Sequence, residues 1–481
     1  MPEEPPGPTD LRGARVLVAG LGVTGRAVRD VVLARGASAI TLDARAPDAD
    51  RHADDEVDLD SVDLVVASPG WRPTAPVLVA AGRRGVPVWS EVELAWRLRV
   101  ERARGGGPAP WLAVTGTNGK TTTVGMLAAI CSAAGLDAPA VGNVGTPVVE
   151  AATAPQHDVL AVELSSFQLH FTASMRARAA AVLNVAADHL DWHGSFEAYA
   201  AAKARIYHGV EVACVYDAGD PLLEGMVRDA DVADGARAVG VTLGVPGPGQ
   251  LGVVDDVLVD RAFHLPVGHP GRAGHAAELA TLADLAHLAG PDGRVAPHVV
   301  TNALAAAALA RANDVPAAAV GDGLRAYLPG AHRVEPVGRL DGVAFVDDSK
   351  ATNAHAAAAS LAAFAPGSVV WVAGGLAKGA AFDDLVRSRS DRLHAAVLIG
   401  VDASPLAQAL ARHAPSIPVE VVDPTDTGTV MSRAVTAARR LARPGDTVLL
   451  APACASMDQF ASYADRGEAF TAAVRGTHPG S

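Results

Sequence analysis

The sequence predicts an α/β protein of three domains, each built on a largely parallel sheet. Short apolar runs typical of strands alternate with helical segments along most of the chain. Several of these runs end in glycine-rich turns, and open α/β sheets bind their ligands at such strand ends. A length of 481 residues is enough for two to four domains with ample core.

Two breaks divide the chain into these domains. The Gly- and Pro-rich stretch 105–110 is the clearest linker, and a second hinge is predicted at 329–333. The acidic, Pro-rich segment 1–10 is unlike a signal peptide, and we expect it to be a disordered tail. The predicted domains are 11–104, 111–330 and 331–481.

Composition excludes several classes of function. A net charge of −13 argues against a nucleic acid as the main partner. Three scattered cysteines are too few for a disulfide framework or a zinc site, which fits a reducing cytoplasm. The sequence contains no uninterrupted apolar run of about 18 residues, so we expect no membrane span.

The strongest single signal is a phosphate loop at the start of the central domain. An apolar run ends at Thr115, the turn GTNG follows, and Lys120 opens an apolar-rich helix. The N–H groups of such a turn and of a helix N-terminus bind phosphate. In this pattern Lys120 reaches the β/γ-phosphates and the Thr121 hydroxyl binds Mg²⁺. The predicted ATP-binding residues are Gly116, Thr117, Asn118, Gly119, Lys120, Thr121 and Thr122.

A second glycine-rich turn lies in the N-terminal domain. The turn GLGVTG at 20–25 joins a strand to a helix, and the next strand ends at Asp43. This pattern is a dinucleotide fingerprint on its face, but the same turn serves any pyrophosphate ligand. Nicotinamide dinucleotide, another nucleoside-diphosphate ligand and a purely structural turn therefore remain as alternatives.

Three features of the central domain suggest metal or acid–base chemistry. Glu163 lies near the end of a buried strand, where a second Mg²⁺ anchor is usual, and His189 belongs to a run of two His and two Asp. Lys203 shares a helical stripe with Phe196 and Tyr199. A lysine there either extends its tip to solvent or has a depressed pKa that leaves a neutral amine. The alternatives for the other two are an incidental carboxylate and a solvated polar loop.

Three loops follow strands of the predicted C-terminal sheet. They are DDSKATN at 347–353, GGLAKG at 374–379 and APACASMDQF at 451–460. Three polar loops at the strand ends of one sheet predict a further ligand site.

Together these motifs resemble one family, the Mur ligases, which are ATP-dependent amide-forming enzymes of peptidoglycan precursor synthesis. The resemblance runs from about residue 11 to residue 470 and rests on motifs in family order: GTNGKTT, ELSSFQL, LNVAADHLD, AAKARIY, TNALA, HR after LPGA, DDSKATN, GGLAKG and APACASMDQF. The last three are similar to those of members that add D-glutamate to UDP-N-acetylmuramoyl-L-alanine (UDP-MurNAc-L-Ala). The resemblance implies a Rossmann-like UDP-binding domain, a central P-loop ATPase-like domain and a Rossmann-like C-terminal domain.

The resemblance also implies roles for individual residues. Lys120, His189 and Lys203 would be catalytic; Thr121 and Glu163 would hold one Mg²⁺. His189 and a carbamate formed from Lys203 and CO₂ would hold a second Mg²⁺. Further ATP contacts would come from Asn302, Arg333 and Asp348. The implied acceptor contacts are Val23, Thr24, Asp43, Arg45, Ser68, Gly70 and Asn143. The implied D-glutamate contacts are Lys350, Thr352, Lys378, Ser456 and Tyr463, the last where the family often has Phe.

Three other functions compete with this one. An NAD-dependent oxidoreductase would use only the GLGVTG turn, and a non-catalytic P-loop regulator would bind ATP without turnover. A ligase similar to folylpolyglutamate synthetase would share the ATP core but lack the UDP domain. We expect a cytoplasmic monomer that acts on small molecules, binds no nucleic acid and has no membrane span.

Overall fold

The computed structural model describes residues 7–8, 10–290 and 293–476, and it confirms the predicted α/β class. The described chain contains three sheets in two compact units. Unit 1 contains the residues up to 285 together with 299–327; unit 2 contains 286–298 and the residues from 328 onward. Most of the predicted tail, residues 1–6 and 9, lies outside the described residues.

The first sheet of unit 1 is parallel and has four strands in the order β2-β1-β3-β4. Most residues of its strands are buried, which explains the largely apolar strand sequences. The strands are β1 Arg15–Ala19, β2 Ser38–Leu42, β3 Leu64–Ala67 and β4 Val88–Ser90. The helices are α1 Val23–Ala34, α2 Pro76–Arg83 and α3 Glu91–Leu98.

The second sheet of unit 1 has nine strands in the order β13-β12-β11-β10-β9-β8-β5-β7-β6, antiparallel only at β11–β12 and β12–β13. Its strands are β5 Trp111–Thr115, β6 Ala140–Gly142, β7 Leu160–Glu163, β8 Ala179–Val182, β9 Ala213–Asp217, β10 Arg237–Val241, β11 Gln250–Val254, β12 Val257–Asp260 and β13 Ala277–Thr281. Its helices are α4 Lys120–Ala133, α5 Val148–Ala152, α6 Ser166–His170, α7 Leu190–His193, α8 Phe196–Ala204, α9 Pro221–Arg228, α10 Pro297–Ala312 and α11 Ala317–Ala326.

Two predictions for the central domain were wrong in detail. The apolar stripe predicts one helix over 196–207, but the helix ends at Ala204 and continues as a 3-10 turn. The Gly- and Pro-rich stretch 244–252 predicts a surface loop, but β11 begins inside it. The sequence QLGVV alternates poorly and contains glycine, which weakens a strand signal. Its pairing with β10 and β12 supplies the stabilisation that local propensity does not.

The two sheets of unit 1 share a hydrophobic core. One continuous cluster of buried side chains includes Val16 and Val18 of β1 as well as Trp111 of β5. Trp96 of α3 packs edge-on against Trp111 with ring centres 5.0 Å apart. Arg102 donates to the carbonyls of Gly107 and Asp158 and so ties the predicted linker to the second sheet.

Unit 2 contains a six-stranded sheet in the order β14-β15-β19-β16-β17-β18, parallel except at β14–β15. The sequence predicts strands at 343–346, 369–373, 396–399, 419–422 and 447–450, and all five are present. The polar edge strand β14 was missed. The strands are β14 Glu335–Leu340, β15 Val343–Asp347, β16 Val369–Gly374, β17 Leu393–Ile399, β18 Val419–Val421 and β19 Thr447–Leu450. The helices are α12 Ala354–Ala362, α13 Asp383–Arg389, α14 Ser404–His413, α15 Val430–Leu441 and α16 Tyr463–Gly476.

Within the described part of the chain, we find no helix that combines the length and apolar character needed to cross a membrane.

Candidate functional site

The predicted phosphate loop lies between β5 and α4, and its shape depends on Gly119. This residue has φ +84°, a conformation that favours glycine. A Cβ atom there would lie 2.5 Å from Oδ1 of Asn302, which α10 brings against the loop. Asn302 therefore lies beside the loop, although it is 183 positions after Gly119 in the sequence.

Two lysines meet at the carbonyl oxygen of Gly116. Lys120 Nζ donates to it at 2.7 Å, and Lys203 Nζ donates to it at 2.9 Å. Lys203 is only 1% exposed. Its burial lowers the pKa of the ammonium well below the usual range, and the positive charge of Lys120 adds to this effect. The predicted outward lysine tip is therefore wrong, and the burial of Lys203 fits the alternative, a lysine of depressed pKa.

Glu163 ends β7 next to this loop and is 1% exposed. Its Oε1 accepts a hydrogen bond from Asn143 Nδ2 at 2.9 Å. Its Oε2 is buried and has no hydrogen-bond partner among the described residues. A buried carboxylate oxygen without a donor is costly unless a cation or a ligand satisfies it. Glu163 therefore fits a divalent cation, with the Thr121 hydroxyl available at the start of α4.

The His189 segment is ordered by aromatic packing. His189 has φ +54°, and its ring packs edge-on against Phe167 with centres 4.8 Å apart. His193 Nε2 lies 2.9 Å from Ser166 Oγ. Burial lowers the pKa of His193 to about 4, and the neighbouring His170 lowers it further. His193 is consequently a neutral ring at physiological pH.

Two residues that sequence reasoning did not assign shape the phosphate loop. Asn184 Oδ1 accepts from the Asn118 amide at 2.9 Å, and the Asn184 amide donates back to the Asn118 carbonyl. Tyr199 is 1% exposed, and its hydroxyl lies 3.0 Å from Thr117 Oγ1. Their positions after β8 and in the apolar stripe of α8 were visible in the sequence, but their partners were not.

The GLGVTG turn is closed by Asp43. Its Oδ2 accepts from the Leu21 amide at 2.7 Å, and its Oδ1 accepts from the amides of Arg45 and Ala46. These bonds lower the pKa of Asp43. Ser68 Oγ donates to the Gly20 carbonyl at 3.0 Å. The turn is therefore preorganised, and the other predicted acceptor residues near it are partly or fully exposed: Val23, Thr24, Arg45 and Gly70.

In unit 2, backbone hydrogen bonds connect the three predicted loops at the ends of β15, β16 and β19. The Ala453 amide donates to the Ala351 carbonyl at 2.9 Å. The Leu376 and Ala455 backbones exchange two hydrogen bonds of 2.9 and 3.2 Å. The loops therefore form one continuous edge, as predicted.

The predicted residues of this edge differ in burial. Asp348 is buried, and burial raises its pKa to about 7, although the Ser360 hydroxyl and the Val334 amide oppose this. Lys350 Nζ lies 5.0 Å from the ring centre of Tyr463. The remaining predicted residues are the half-buried Arg333 and Thr352, the exposed Lys378 and the buried Ser456.

Arg466 was not predicted, yet it joins two of these loops. Its side chain is completely buried in α16 and donates to Ser349 Oγ at 3.0 Å, to the Ser349 carbonyl at 2.8 Å and to the Cys454 carbonyl at 3.1 Å. A buried arginine is unusual, but the spacing of α16 gives no sequence signal for its partners.

Two family models match the parts of the chain that contain the phosphate loop and the three loops of unit 2. The family model "Mur ligase middle domain" matches residues 114–238, and "Mur ligase, glutamate ligase domain" matches 332–454. A UDP-N-acetylmuramoylalanine–D-glutamate ligase from Streptomyces coelicolor is 56% identical over 97% of this chain and 99% of its own length. The protein of the same name from Bifidobacterium longum subsp. infantis is 49% identical over 96% and 97%.

Solved structures resemble the chain in fold. A UDP-N-acetylmuramate–alanine ligase from Thermotoga maritima has a TM-score of 0.55 at 17% identity and covers 97% of this chain and 100% of its own. A folylpolyglutamate synthase from Mycobacterium tuberculosis has a TM-score of 0.52 at 16% identity, covering 76% of this chain and 90% of its own. At these identities the likeness concerns the fold alone.

Proposed function

This chain is a member of the Mur ligase family, and we propose that it is the ATP-dependent ligase that joins D-glutamate to UDP-MurNAc-L-Ala, forming ADP and phosphate. The relatives that match it over nearly their whole length carry the name of that enzyme. The observation that carries the proposal is the phosphate loop, where two lysines share the Gly116 carbonyl and the neighbouring strand ends in Glu163, whose Oε2 is buried without a hydrogen-bond partner among the described residues. The product belongs to peptidoglycan synthesis and hence to cell-wall growth and division.

The proposed reaction solves a chemical problem, because a carboxylate is a poor electrophile. The L-alanine carboxylate of the acceptor attacks the γ-phosphorus of ATP, ADP leaves, and an acyl phosphate forms. The amine of D-glutamate then attacks the acyl carbon, the tetrahedral intermediate expels phosphate, and the amine proton is lost to give an amide. Phosphoryl transfer requires positioning and charge neutralisation more than covalent help.

The phosphate loop supplies these two requirements in our proposal. Lys120 turns from its carbonyl partners to the β/γ-phosphates. The amides of the turn and of the start of α4 cradle the phosphates, apart from those of Thr117 and Asn118, which donate to Asn184. Asn302 lies beside Gly119 and contacts the nucleotide. Arg333 and Asp348 of unit 2 are proposed as further nucleotide contacts. These roles rest on matching motifs and on the geometry within each unit.

Magnesium fits the donor set in unit 1. Thr121 and Glu163 would hold one ion, and His189 with a carbamate of Lys203 would hold a second. Oxygen-rich sites suit Mg²⁺, which neutralises charge on the phosphoryl group when bound. Lys203 is suited to the modification, because its buried amine has a strongly lowered pKa and a neutral amine can add CO₂.

The substrates occupy two further sets of residues in the proposal. The exposed end of the GLGVTG turn, with Asp43, Arg45, Ser68 and Gly70, receives the UDP group, and Asn143 lies nearer the muramoyl part. In unit 2 the cations of Lys350 and Lys378 would pair with the carboxylates of D-glutamate. Thr352, Ser456 and Tyr463 complete that set. We also propose a monomer in the cytoplasm, in keeping with three buried, unpaired cysteines.

Phosphate release tests the proposal. The enzyme is assayed with ATP, Mg²⁺ and UDP-MurNAc-L-Ala, with D-Glu, L-Glu, L-Lys or meso-diaminopimelate as the amine. We expect amide product with D-Glu alone, and none without the UDP substrate. Equal turnover with a diamino acid would assign the chain to another branch of the family, and ATP hydrolysis that ignores both substrates would contradict a ligase.

A further inference from the structure

The junction between the two sheets of unit 1 contains an unusual group of buried polar side chains. Ser90, Glu91 and Glu93 stand where β4 passes into α3, and they are only 2%, 1% and 0% exposed. Carboxylates are rarely buried to this extent unless something satisfies them. The contacts of Glu91 and Glu93 lead to different parts of the second sheet.

Glu91 reaches the start of α5. Its Oε1 accepts from the Val149 amide at 2.9 Å, and its Oε2 is buried without a hydrogen-bond partner among the described residues. Burial raises its pKa to about 7, and the charge of Glu150 adds to this, whereas the Val149 and Val148 amides and the nearby Gln168 side chain oppose it. An apolar side chain would leave the buried Val149 amide without an acceptor, which is unfavourable.

The segments that Glu91 contacts adjoin the proposed acceptor site. Helix α5 follows directly after the loop 143–147, and Asn143 bonds Glu163 through both its amide and its side chain, at 3.0 and 2.9 Å. Gln168 belongs to α6, which begins three residues after Glu163. Glu91 thus bonds the start of α5 and lies near Gln168 of α6, so it is close to both chain segments that leave the Asn143–Glu163 pair.

We propose that Glu91 is a positioning residue for the acceptor, holding the Asn143 loop and α6 at a fixed place relative to the sheet that carries the GLGVTG turn. This inference rests on the proposed function, since the UDP end and the carboxylate end of one acceptor must be held at the same time. Misplacement of such a segment lowers productive binding of the acceptor, whereas the phosphate loop, to which Glu91 makes no hydrogen bond, keeps its place.

Steady-state kinetics on the full-length enzyme test this role. We expect Glu91→Ala to raise the KM for UDP-MurNAc-L-Ala about tenfold, the size of one lost buried hydrogen bond. The KM values for ATP and D-Glu should stay within about twofold of those of the wild type, because Glu91 bonds no residue that is proposed to bind ATP or D-Glu. Glu91→Gln should recover most of the acceptor affinity, because its amide oxygen can accept from the Val149 amide.

Glu93 provides a matched control. It is equally buried in the same helix, but its carboxylate accepts from the amides of Ala173 and Ser174, in a turn that carries no proposed site residue. Glu93→Ala should lower thermal stability without a selective change in acceptor KM. Glu91→Met, which keeps the volume but cannot accept a hydrogen bond, serves if Glu91→Ala does not fold.

Several outcomes would overturn the inference. They are an equal rise in all three KM values, the same acceptor effect in Glu93→Ala, or a Glu91→Gln enzyme no better than Glu91→Ala. If the wild-type enzyme turns over these substrates and the Glu91 variants keep the wild-type KM for the acceptor, the inference is refuted but the proposed function stands. A wild-type enzyme without turnover refutes the proposed function and the inference with it.

Discussion

At the scale of single residues, burial explains how a lysine can belong to a cation site. Lys203 has Lys120 as a neighbour, and both donate to the Gly116 carbonyl. An ammonium in that place is disfavoured by desolvation and by like charge. Conversion of the neutral amine to a carbamate replaces a positive group with oxygen ligands, which suits Mg²⁺.

This reasoning predicts the behaviour of Lys203 variants. Lys203→Ala should lower kcat by at least roughly 100-fold, as loss of a charge-stabilising group at a reacting centre typically does. It should still bind ATP, measured by equilibrium titration, because the phosphate loop is intact. Lys203→Arg should be as damaging, since a guanidinium cannot lose its charge.

Acetate provides the control for Lys203→Ala. A small carboxylate that enters the space left by the side chain can stand in for the carbamate oxygens, so added acetate should restore part of kcat. Chloride at the same ionic strength should not. If Lys203→Arg kept nearly full activity, the carbamate would be wrong, and Lys203 would serve packing through its contact with the Tyr199 ring, 4.6 Å away.

At the scale of elements, the phosphate loop depends on one glycine for two separate reasons. Gly119 has a positive φ, and it leaves space for Asn302. Gly135 follows the other end of the same helix with φ +79° and no atom within 4 Å of an added Cβ. Alanine substitutions at the two glycines therefore distinguish the effect of backbone strain, present at both, from that of steric conflict, present only at Gly119.

We predict that Gly119→Ala and Gly135→Ala both lose stability, by about 1–2 kcal/mol, because alanine is strained at positive φ. Only Gly119→Ala should also lose nucleotide binding, with kcat/KM for ATP lower by about 100-fold, as expected for a displacement of about 1 Å. Thermal melting and initial-rate kinetics measure the two effects. Equal kinetic loss in both variants would show that strain alone is responsible.

Elements that depend on local sequence were the ones predicted correctly. The phosphate loop, β5 and α4 follow from a strand, a glycine turn and a helix that are adjacent in the chain. The contacts of Asn184 with Asn118 and of Arg466 with Ser349 join residues far apart, and a single sequence contains no record of such pairs. The strands β9 to β13 were missed. Of these, β11 has little strand signal of its own, and its pairing with β10 and β12 defines it.

The same limit applies to the burial of Glu91. A glutamate at the first position of a helix, directly after a serine cap, is what an exposed helix start also shows. Only the packing of α3 against α5 turns it into a buried carboxyl. The sequence therefore predicted the helix and gave no sign of the role that we propose for its first residue.

At the scale of the whole molecule, each unit has a hydrophobic core of its own. The cluster around Val16 and Trp111 belongs to unit 1, and the clusters around Trp371 and Val370 belong to unit 2. The proposed acceptor contacts all lie in unit 1, and the proposed D-glutamate contacts all lie in unit 2. Proteins with separate cores commonly unfold in more than one step.

We predict two calorimetric transitions, each raised by a different substrate. UDP-MurNAc-L-Ala at about 100 times its Kd adds about 2.7 kcal/mol to the unit that binds it, so only the transition of unit 1 should move. D-Glutamate should move only the other. Five of the six tryptophans lie in unit 1, so fluorescence-detected melting identifies its transition. A single transition that both substrates raise would mean that the two units unfold as one, which would contradict the prediction.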